Sequence, residues 1–247
     1  MKIAVISDIH GNMDAVNAVM ADIEKQNCTK LFVLGDYAMA GPEPKAAINF
    51  FMSKRSDSNV IMIQGNTDVM ISEYNFDLYD SLKEKAPVMA EALKNDARII
   101  EHDEKEFLRA LPIQQEVFLE GVRFLLVHGS PRKNNEDIMP DTDLRIVEEM
   151  LVNVDADVVL CGHTHIPCGF QTPSKKTVVN VGSIGRPFTQ EPKSCYLVIT
   201  VENGQTLFEH RFVKYDNKSA YEKLKKRDFW GSDRLAETLI NPKVRHF

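Results

Sequence analysis

Residues 2–10 read KIAVISDIH, an apolar run of strand length that stops at Asp8. Four later runs share this form: each is short, rich in Val, Ile, Leu and Phe, and followed by a polar residue that can bind a metal. They are LFVLG (31–35) before Asp36, VIMIQG (60–65) before Asn66, FLLV (124–127) before His128 and VVLCG (158–162) before His163. Runs of this length and composition are typical of buried strands. The sequence therefore predicts five core strands, each ending at a potential ligand.

Helical patterns lie between these strands. Residues 13–25 place Ala15, Val19 and Ile23 on one face, and residues 45–53 and 143–152 also have helical periodicity. Strands that alternate with helices predict an α/β fold with much parallel pairing. Because ligands bind outside the carboxyl ends of such strands, we expect the five polar residues to form one site.

Two regions depart from the alternation. Residues 69–112 are mostly helical in pattern and lie between two ligand-bearing strands, which indicates either a cap over the site or a helical layer without substrate contact. Strand-like stretches at 177–181, 195–201 and 206–213 follow, and the Asn-Gly dipeptide at 203–204 predicts a hairpin. We expect one domain over residues 1–247, with a cap-like insertion at 69–112 and a helical tail at 218–247.

Composition excludes several classes of protein. The 247 residues contain no apolar stretch long enough for a transmembrane helix, and the apolar run at the start stops too early for a signal peptide. A net charge of −6 argues against a general nucleic-acid binder but permits small anionic substrates, since bound metal cations can reverse the local field. Four scattered cysteines favour a reducing cytoplasm.

The polar residues suit a metal site. The pairs Asp8-Ile9-His10 and His163-Thr164-His165 each place two candidate ligands one residue apart. Oxygen and imidazole donors without thiolates favour Mn, Fe, Zn or Co. Seven ligands are too many for one ion with an open position, but they suit two ions that share a carboxylate and clamp a phosphoryl group. The candidate metal ligands are Asp8, His10, Asp36, Asn66, His128, His163 and His165.

The same motifs resemble those of the calcineurin-like metallophosphoesterases. Asp8-x-His10, Gly35-Asp36, Gly65-Asn66, Val127-His128-Gly129 and Gly162-His163-Thr164-His165 occur in the family's order and with its approximate spacing. The stretches Gly11-Asn12 and Gly182-Ser183-Ile184-Gly185-Arg186-Pro187 resemble the small bacterial and archaeal branch. A single motif is weak evidence, but five in order are strong evidence.

The resemblance implies a four-layer α/β/β/α sandwich with two metal ions at one edge. Asp8, His10, Asp36 and His165 would hold one ion, and Asp36, Asn66, His128 and His163 the other, with Asp36 bridging. A hydroxide between the ions would be the nucleophile. Asp36, Asn66 and His128 are therefore the expected catalytic residues, and Mn or Fe, including a mixed-valence pair, the favoured cofactors.

One departure from the family pattern concerns the leaving group. Many members have a His directly after the Gly-Asn pair and an Asp three residues beyond the Gly-Asp carboxylate, and that His is credited with protonating the leaving group. Here these positions are Thr67 and Met39. A substrate with a good leaving group would not need the acid.

Other residues have competing interpretations. Arg132 and Arg186 could bind phosphate or be solvated surface residues, and Asn12 could bind phosphate or cap the first helix. Packing is expected for Tyr37, Phe170 and Phe188, which could alternatively stack on a base, and no zinc site is expected at Cys161 and Cys168. Structural or exposed positions are expected for His102, His210 and His246.

These observations predict a cytoplasmic hydrolase of a phosphoanhydride or an activated phosphodiester. The best concrete substrate is a dinucleoside polyphosphate such as diadenosine tetraphosphate, so the expected partner is a small phosphorylated molecule of nucleotide type, with no membrane or general nucleic-acid partner. The alternatives are a broad-range phosphodiesterase, a Ser/Thr protein phosphatase, or a non-catalytic scaffold on the same fold, like the trafficking subunits that share it. The intact ligand set argues against a scaffold.

Overall fold

The computed structural model describes residues 1–242 and contains two five-stranded sheets. The first sheet has the order β10-β9-β1-β2-β3. Its strands are β1 (Lys2–Ile6), β2 (Lys30–Val33), β3 (Val60–Met62), β9 (Ser194–Glu202) and β10 (Gln205–Val213). The parallel strands β1, β2 and β3 lie side by side, and the antiparallel β9–β10 hairpin extends the sheet beyond β1.

The second sheet has the order β4-β5-β6-β8-β7. Its strands are β4 (Gln114–Leu119), β5 (Val122–Val127), β6 (Val158–Cys161), β7 (Cys168–Gln171) and β8 (Thr177–Asn180). Strands β5, β6 and β8 are parallel, and antiparallel β4 and β7 form the two edges. Each sheet therefore has a parallel centre and antiparallel flanks.

Nine helices surround the sheets in the described part of the chain. They are α1 (Met13–Lys25), α2 (Pro44–Met52), α3 (Asn66–Ser72), α4 (Phe76–Lys85), α5 (Pro87–Ile99), α6 (His102–Ala110), α7 (Leu144–Met150), α8 (Asn217–Lys225) and α9 (Ser232–Ile240). All except α7 lie on the side of the first sheet, and α7 packs on the second sheet.

The hydrophobic core has three layers because alternate strand residues face opposite sides. On β1, Ile3 and Val5 face the second sheet, where they join Phe124 and Leu126 in one buried cluster. Ala4 and Ile6 point the other way, into the cluster that the helices complete. A third cluster lies between the second sheet and α7. This arrangement confirms the predicted four-layer α/β/β/α fold.

Several element boundaries differ from the predicted ones. Four of the five predicted strands end one to three residues earlier than expected, and the candidate ligands lie one to four residues beyond the strand that precedes them. Strands β4 and β7 were not predicted: β4 is largely exposed at a sheet edge, and β7 begins only three residues after His165. At the predicted hairpin, Asn203 (φ 51°) and Gly204 (φ 75°) both adopt left-handed conformations, as a two-residue turn of this kind requires.

The insertion at residues 69–112 and the tail are helical, as predicted. Residues 69–112 contain α4, α5, α6 and most of α3, while α8 and α9 lie in the tail. None of the described helices has the length and apolar character to cross a bilayer. His246 lies outside the described residues.

Candidate metal centre

The predicted ligands come from five neighbouring loops at one edge of the two sheets. Asp8 and His10 follow β1, Asp36 follows β2, and Asn66 is the first residue of α3, after β3. His128 follows β5 directly, and the pair His163 and His165 follows β6. Because the strands before these loops are parallel within each sheet, their carboxyl ends meet at one place.

The Asp8 carboxylate lies at the centre of this cluster. Its Oδ1 atom is 3.1 Å from Nε2 of His165, 3.8 Å from Nε2 of His128 and 3.9 Å from Nε2 of His10. Oδ1 is buried and has no hydrogen-bond partner, whereas Oδ2 accepts the N–H of His163 at 3.0 Å. One oxygen of Asp8 thus shapes the loop after β6, and the other faces three imidazoles.

Asp36 and Asn66 complete the second half of the cluster. Asp36 Oδ2 is 3.4 Å from Nε2 of His128 and 3.8 Å from Nε2 of His10. Asn66 Oδ1 lies 3.0 Å from the same His128 nitrogen. Two overlapping groups of potential ligands result, Asp8-His10-His165 and Asp8-Asp36-His128, each with its ligand atoms within 4.8 Å of one another.

Backbone carbonyl groups orient three of the imidazoles. The Nδ1 atom of His10 lies 2.9 Å from the Met39 oxygen. The Nδ1 atom of His128 lies 2.6 Å from the Leu34 oxygen, and that of His165 lies 2.6 Å from the Arg186 oxygen. A carbonyl can only accept, so each Nδ1 donates its proton, and a neutral ring presents the Nε2 lone pair to the cluster.

This hydrogen bonding makes the cluster suitable for cations. Nε2 of His10 and Nε2 of His165 lie 3.1 Å apart, and both face the unpartnered Asp8 oxygen. Buried lone pairs that face one another are unfavourable unless a proton or a metal ion lies between them. The donor set and its geometry therefore fit metal ions of the type that the sequence predicts.

The pKa values of the ionisable groups in the cluster show that it favours positive charge. Burial opposes protonation of His128, but the Asp36 and Asp8 carboxylates raise its pKa to about 10. Burial, and secondly repulsion from His165, lowers the pKa of His10 to about 4. Burial alone would raise the pKa of Asp8, yet His165 and His128 outweigh it and hold that pKa below its usual range. The Asp8 and Asp36 carboxylates thus favour positive charge beside them.

His163 is oriented differently from the other three imidazoles. Its Nε2 atom lies 3.4 Å from Oδ1 of Asp137, a residue of the loop after β5. Its ring packs edge-on against His128, with 5.3 Å between ring centroids. His163 therefore borders the cluster without belonging to either group of close ligand atoms.

Left-handed backbone conformations are concentrated at this site. Asp8 (φ 55°), His10 (φ 45°), Asp36 (φ 57°), His163 (φ 66°) and His165 (φ 62°) all have positive φ. Residues other than glycine rarely adopt this region, and such strain persists only where the surrounding structure imposes it. The cluster is therefore held in place by its neighbours.

Asp68 is a buried residue of this region that sequence reasoning missed. Its Oδ2 accepts the N–H groups of Asp36 and Gly65 at 2.8 Å, and its Oδ1 accepts that of Tyr37 at 2.9 Å. The carboxylate thereby ties the loop after β2 to the start of α3. Its position, three residues after Gly65 at a helix start, is a capping-box spacing and could have indicated this role.

The three predicted substrate-binding residues have different surroundings. Both polar groups of Asn12 are used within the protein: Oδ1 caps α1 through the Ala15 N–H, and Nδ2 donates to the Gly185 oxygen. Arg132 is engaged with Glu136, at 2.6 Å from Nη2 to Oε1. Arg186 contacts Met89 Sδ through Nη1 at 3.8 Å, while its Nε is buried without a partner.

The remaining residues with competing interpretations also have defined places. Tyr37 is fully buried and donates to the Ile63 oxygen. Phe170 packs against the hydrophobic cluster between the second sheet and α7. Phe188 stacks on the ring of His165, with ring centroids 4.8 Å apart. The four cysteines are free thiols. His210 is hydrogen-bonded to the Asn180 oxygen, and His102 is exposed at the start of α6.

Comparison with known proteins is consistent with this geometry. A sequence model of the calcineurin-like phosphoesterase superfamily domain matches residues 1–204. The chain is 28% identical to the uncharacterised protein MJ0912 of Methanocaldococcus jannaschii over 252 residues, 94% of this chain and 96% of that protein. It resembles the crystal structure of hypothetical protein PH1004 from Pyrococcus horikoshii, with a TM-score of 0.85, 24% identity and 98% of each chain covered. A metallophosphoesterase from Sphaerobacter thermophilus has a TM-score of 0.78, 20% identity and coverage of 97% of this chain and 98% of its own.

Proposed function

The chain belongs to the calcineurin-like phosphoesterase superfamily and is a metal-dependent phosphoester hydrolase, and on that premise we propose that its substrate is a phosphoanhydride or an activated phosphodiester. A dinucleoside polyphosphate such as diadenosine tetraphosphate is the most concrete candidate. The observation that carries this proposal is the chemistry at positions 67 and 39. Thr67 donates its hydroxyl to the Ala38 oxygen at 3.1 Å, and Met39 is a buried apolar side chain. Neither residue can protonate a leaving group.

We further propose that two metal ions, with Mn or Fe favoured, bind the cluster through the ligands predicted from the sequence. Such ions would supply Lewis-acid chemistry, polarising phosphoryl oxygens and lowering the pKa of water. The unpartnered Asp8 oxygen and the converging imidazole nitrogens support this proposal. Within it, Asp36, Asn66 and His128 act together, because Oδ2 of Asp36 and Oδ1 of Asn66 lie 3.4 and 3.0 Å from Nε2 of His128.

Arg186 is the proposed phosphate-binding residue. The backbone carbonyl of Arg186 orients His165, so the Arg186 backbone lies beside the cluster of candidate ligands. Burial lowers the pKa of its guanidinium to about 10, which still leaves it protonated at neutral pH. An unpartnered Nε can donate to a phosphate oxygen without breaking an existing bond. Arg132 would have to leave Glu136 first, so it is the weaker candidate.

The substrate proposal follows from the charge that the leaving oxygen must carry. A nucleotide phosphate leaves with a pKa of about 6 to 7, whereas a serine-like alkoxide has a pKa near that of water, roughly 9 units higher. Even partial charge on that oxygen separates the two classes by several powers of ten in rate, at about 1.4 kcal/mol per tenfold. Dinucleoside polyphosphates and nitrophenyl esters should therefore be hydrolysed, and phosphoserine or sugar monoesters hardly at all.

The experiment is a kcat/KM series over leaving groups of graded pKa, measured with the manganese-loaded enzyme. We expect a steep dependence, and we expect Thr67→His combined with Met39→Asp to make it shallower by restoring an acid pair. Asp tolerates the left-handed conformation at position 39 (φ 79°) better than most residues. A flat dependence with chemistry shown to be rate-limiting, or a preference for alkyl monoesters, would refute the proposal.

The same series distinguishes the alternatives. Comparable rates on diverse diesters would indicate a broad-range phosphodiesterase, and turnover of phosphoserine peptides a protein phosphatase. Metal binding without turnover of any of these substrates would indicate a scaffold. We also propose a reducing cytoplasmic location, supported by the four free thiols, and a small nucleotide-like partner, since the net charge of −6 argues against general nucleic-acid binding.

A further inference from the structure

The loop of residues 39–41, called here the His10-supporting loop, has an unusual backbone. Met39 (φ 79°) and Ala40 (φ 60°) are consecutive non-glycine residues in left-handed conformations. Such residues cost conformational free energy, so the loop needs contacts that hold it in place. The loop matters to the metal centre because the Met39 oxygen accepts from His10 Nδ1 at 2.9 Å.

A buried ion pair from distant parts of the chain contacts this loop. Arg227, two residues after α8, donates from Nη1 to the Gly41 oxygen at 2.8 Å and from Nη2 to Oδ1 of Asp96 on α5 at 2.5 Å. Their side chains are 8% and 0% exposed. Burial raises the pKa of Asp96 to about 6, and the backbone N–H groups of Met39 and Ala40 are among the interactions that oppose this rise. The pair therefore holds Gly41 by a direct hydrogen bond, and its carboxylate interacts with the N–H groups of Met39 and Ala40.

The His10-supporting loop is also pressed against the His10 backbone. A Cβ added to Gly41 would lie 1.4 Å from the His10 oxygen, so the two segments are in direct contact. A displacement of the loop must therefore move both the backbone of His10 and the carbonyl that orients its ring.

We propose that the Asp96–Arg227 pair is a positioning device for the metal ligand His10, acting through the backbone of the His10-supporting loop. This inference rests on the proposed metal-binding function and deepens it. Asp96 lies in the helical insertion, and Arg227 lies beyond the residues that the family domain matches, 1–204. Two segments outside the ligand-bearing loops thus control how well the centre binds metal.

The test measures manganese binding by the metal-free full-length protein, without substrate, by titration with Mn²⁺ followed by electron paramagnetic resonance. Arg227→Met should weaken Mn²⁺ binding by about tenfold or more. Arg227→Lys keeps the charge but lacks the planar fork that reaches both the carboxylate and the carbonyl, so it should also weaken binding. This second variant keeps the test informative if Arg227→Met does not fold.

A double variant separates positioning from general stability. In Asp96→Leu with Arg227→Met, no buried charge is left without a partner, so its melting temperature should recover relative to either single variant. Its Mn²⁺ affinity should nevertheless stay about tenfold below that of the wild type, because the loop has lost its contacts. Recovery of affinity together with melting temperature would overturn the proposal.

Arg211→Gln is the matched control. Arg211 donates from Nε to Oδ2 of Asp22 on α1 at 2.8 Å, a partly buried ion pair that does not contact the ligand loops. This variant should lower stability and leave Mn²⁺ affinity unchanged. An equal loss of affinity in Arg211→Gln would show that destabilisation alone explains the Arg227 result.

A double-mutant cycle with His10 identifies the route of the effect. If the pair acts through His10, Arg227→Met should have little further effect on Mn²⁺ affinity in a His10→Ala background. Equal, additive losses would overturn the proposed route. Absence of Mn²⁺ binding in the wild type would refute the proposed function itself, whereas wild-type binding by all Arg227 variants would refute only this inference.

Discussion

Five of the seven predicted ligands adopt left-handed backbone conformations, each costing about 1–3 kcal/mol. Specific backbone hydrogen bonds hold them in place: the N–H of Asp8 donates to the Gly35 oxygen at 3.1 Å and that of His10 to the Asp36 oxygen at 2.9 Å. The loops after β1 and β2 therefore determine each other's shape. A bound cation would offset part of this conformational cost, because it would accept the lone pairs of the ligand atoms that the loops bring together.

At the residue scale, Asp36→Asn should lower turnover by at least about a hundredfold, because the amide removes a negative charge that faces both His10 and His128. The Asp36 Oδ1 atom also accepts the Thr67 N–H at 2.9 Å, which an amide oxygen can still do, so the fold should persist. Steady-state kinetics at saturating manganese, with circular dichroism as the check on folding, measures this.

The control for that variant is His102→Ala, which changes an exposed histidine at the start of α6. Its activity should match that of the wild type within about twofold. Near-normal turnover by Asp36→Asn would mean that this carboxylate has no part in the chemistry.

At the scale of elements, the short gaps between strand ends and ligands explain why glycines occur there. Gly162 separates β6 from His163, and its N–H donates to the His128 oxygen at 2.8 Å. A Cβ at this position would lie 2.1 Å from Ser7 Oγ and 2.7 Å from Asp8 Oδ2. The two sheets can bring their ligands together only because a residue without a side chain lies at this contact.

Gly162→Ala should therefore weaken metal binding by about tenfold or more and lower the free energy of unfolding by a few kcal/mol, a cost typical of overpacking. Isothermal titration with Mn²⁺ and urea unfolding measure the two effects. Gly169→Ala in β7 is the matched control, since its added Cβ would meet its neighbours at an ordinary 3.8 Å. Similar behaviour of the two variants would contradict the steric explanation.

At the scale of the whole molecule, the centre joins the two sheets. Asp8, His10, Asp36 and Asn66 belong to loops of the first sheet, whereas His128, His163 and His165 belong to those of the second. Cations bound between them would cross-link the two halves of the sandwich. Metal that binds the folded chain more tightly than the unfolded chain must stabilise the fold.

Manganese at about 100 times its dissociation constant should therefore add about 2.7 kcal/mol per site to the free energy of unfolding. For a chain of this size that corresponds to roughly 5–10 °C in melting temperature. Differential scanning calorimetry with and without a chelator measures the shift, and elemental analysis should find two ions per chain. A single ion, with Asn66 and His128 remote from it, would contradict the two-metal assignment.

The sequence by itself determined the fold class and the chemical nature of the candidate site. Apolar runs of strand length predict buried strands, and the Asp, Asn and His residues that follow them share one edge because parallel strands point the same way. Edge strands carry a weaker signal, since half-exposed residues need not be apolar. For that reason β4 and β7 were visible only in the structure.

Only the tertiary structure decided how the site is held. The imidazoles are oriented by carbonyl groups of Met39, Leu34 and Arg186. Every residue has a backbone carbonyl, so the sequence cannot indicate which of them will orient a ligand. Arg227 and Asp96 lie 131 residues apart, so no local pattern joins them. Short-range patterns record which side chains are available, but burial and long-range contacts determine where each one points, because those contacts form only when the sheets and helices pack together.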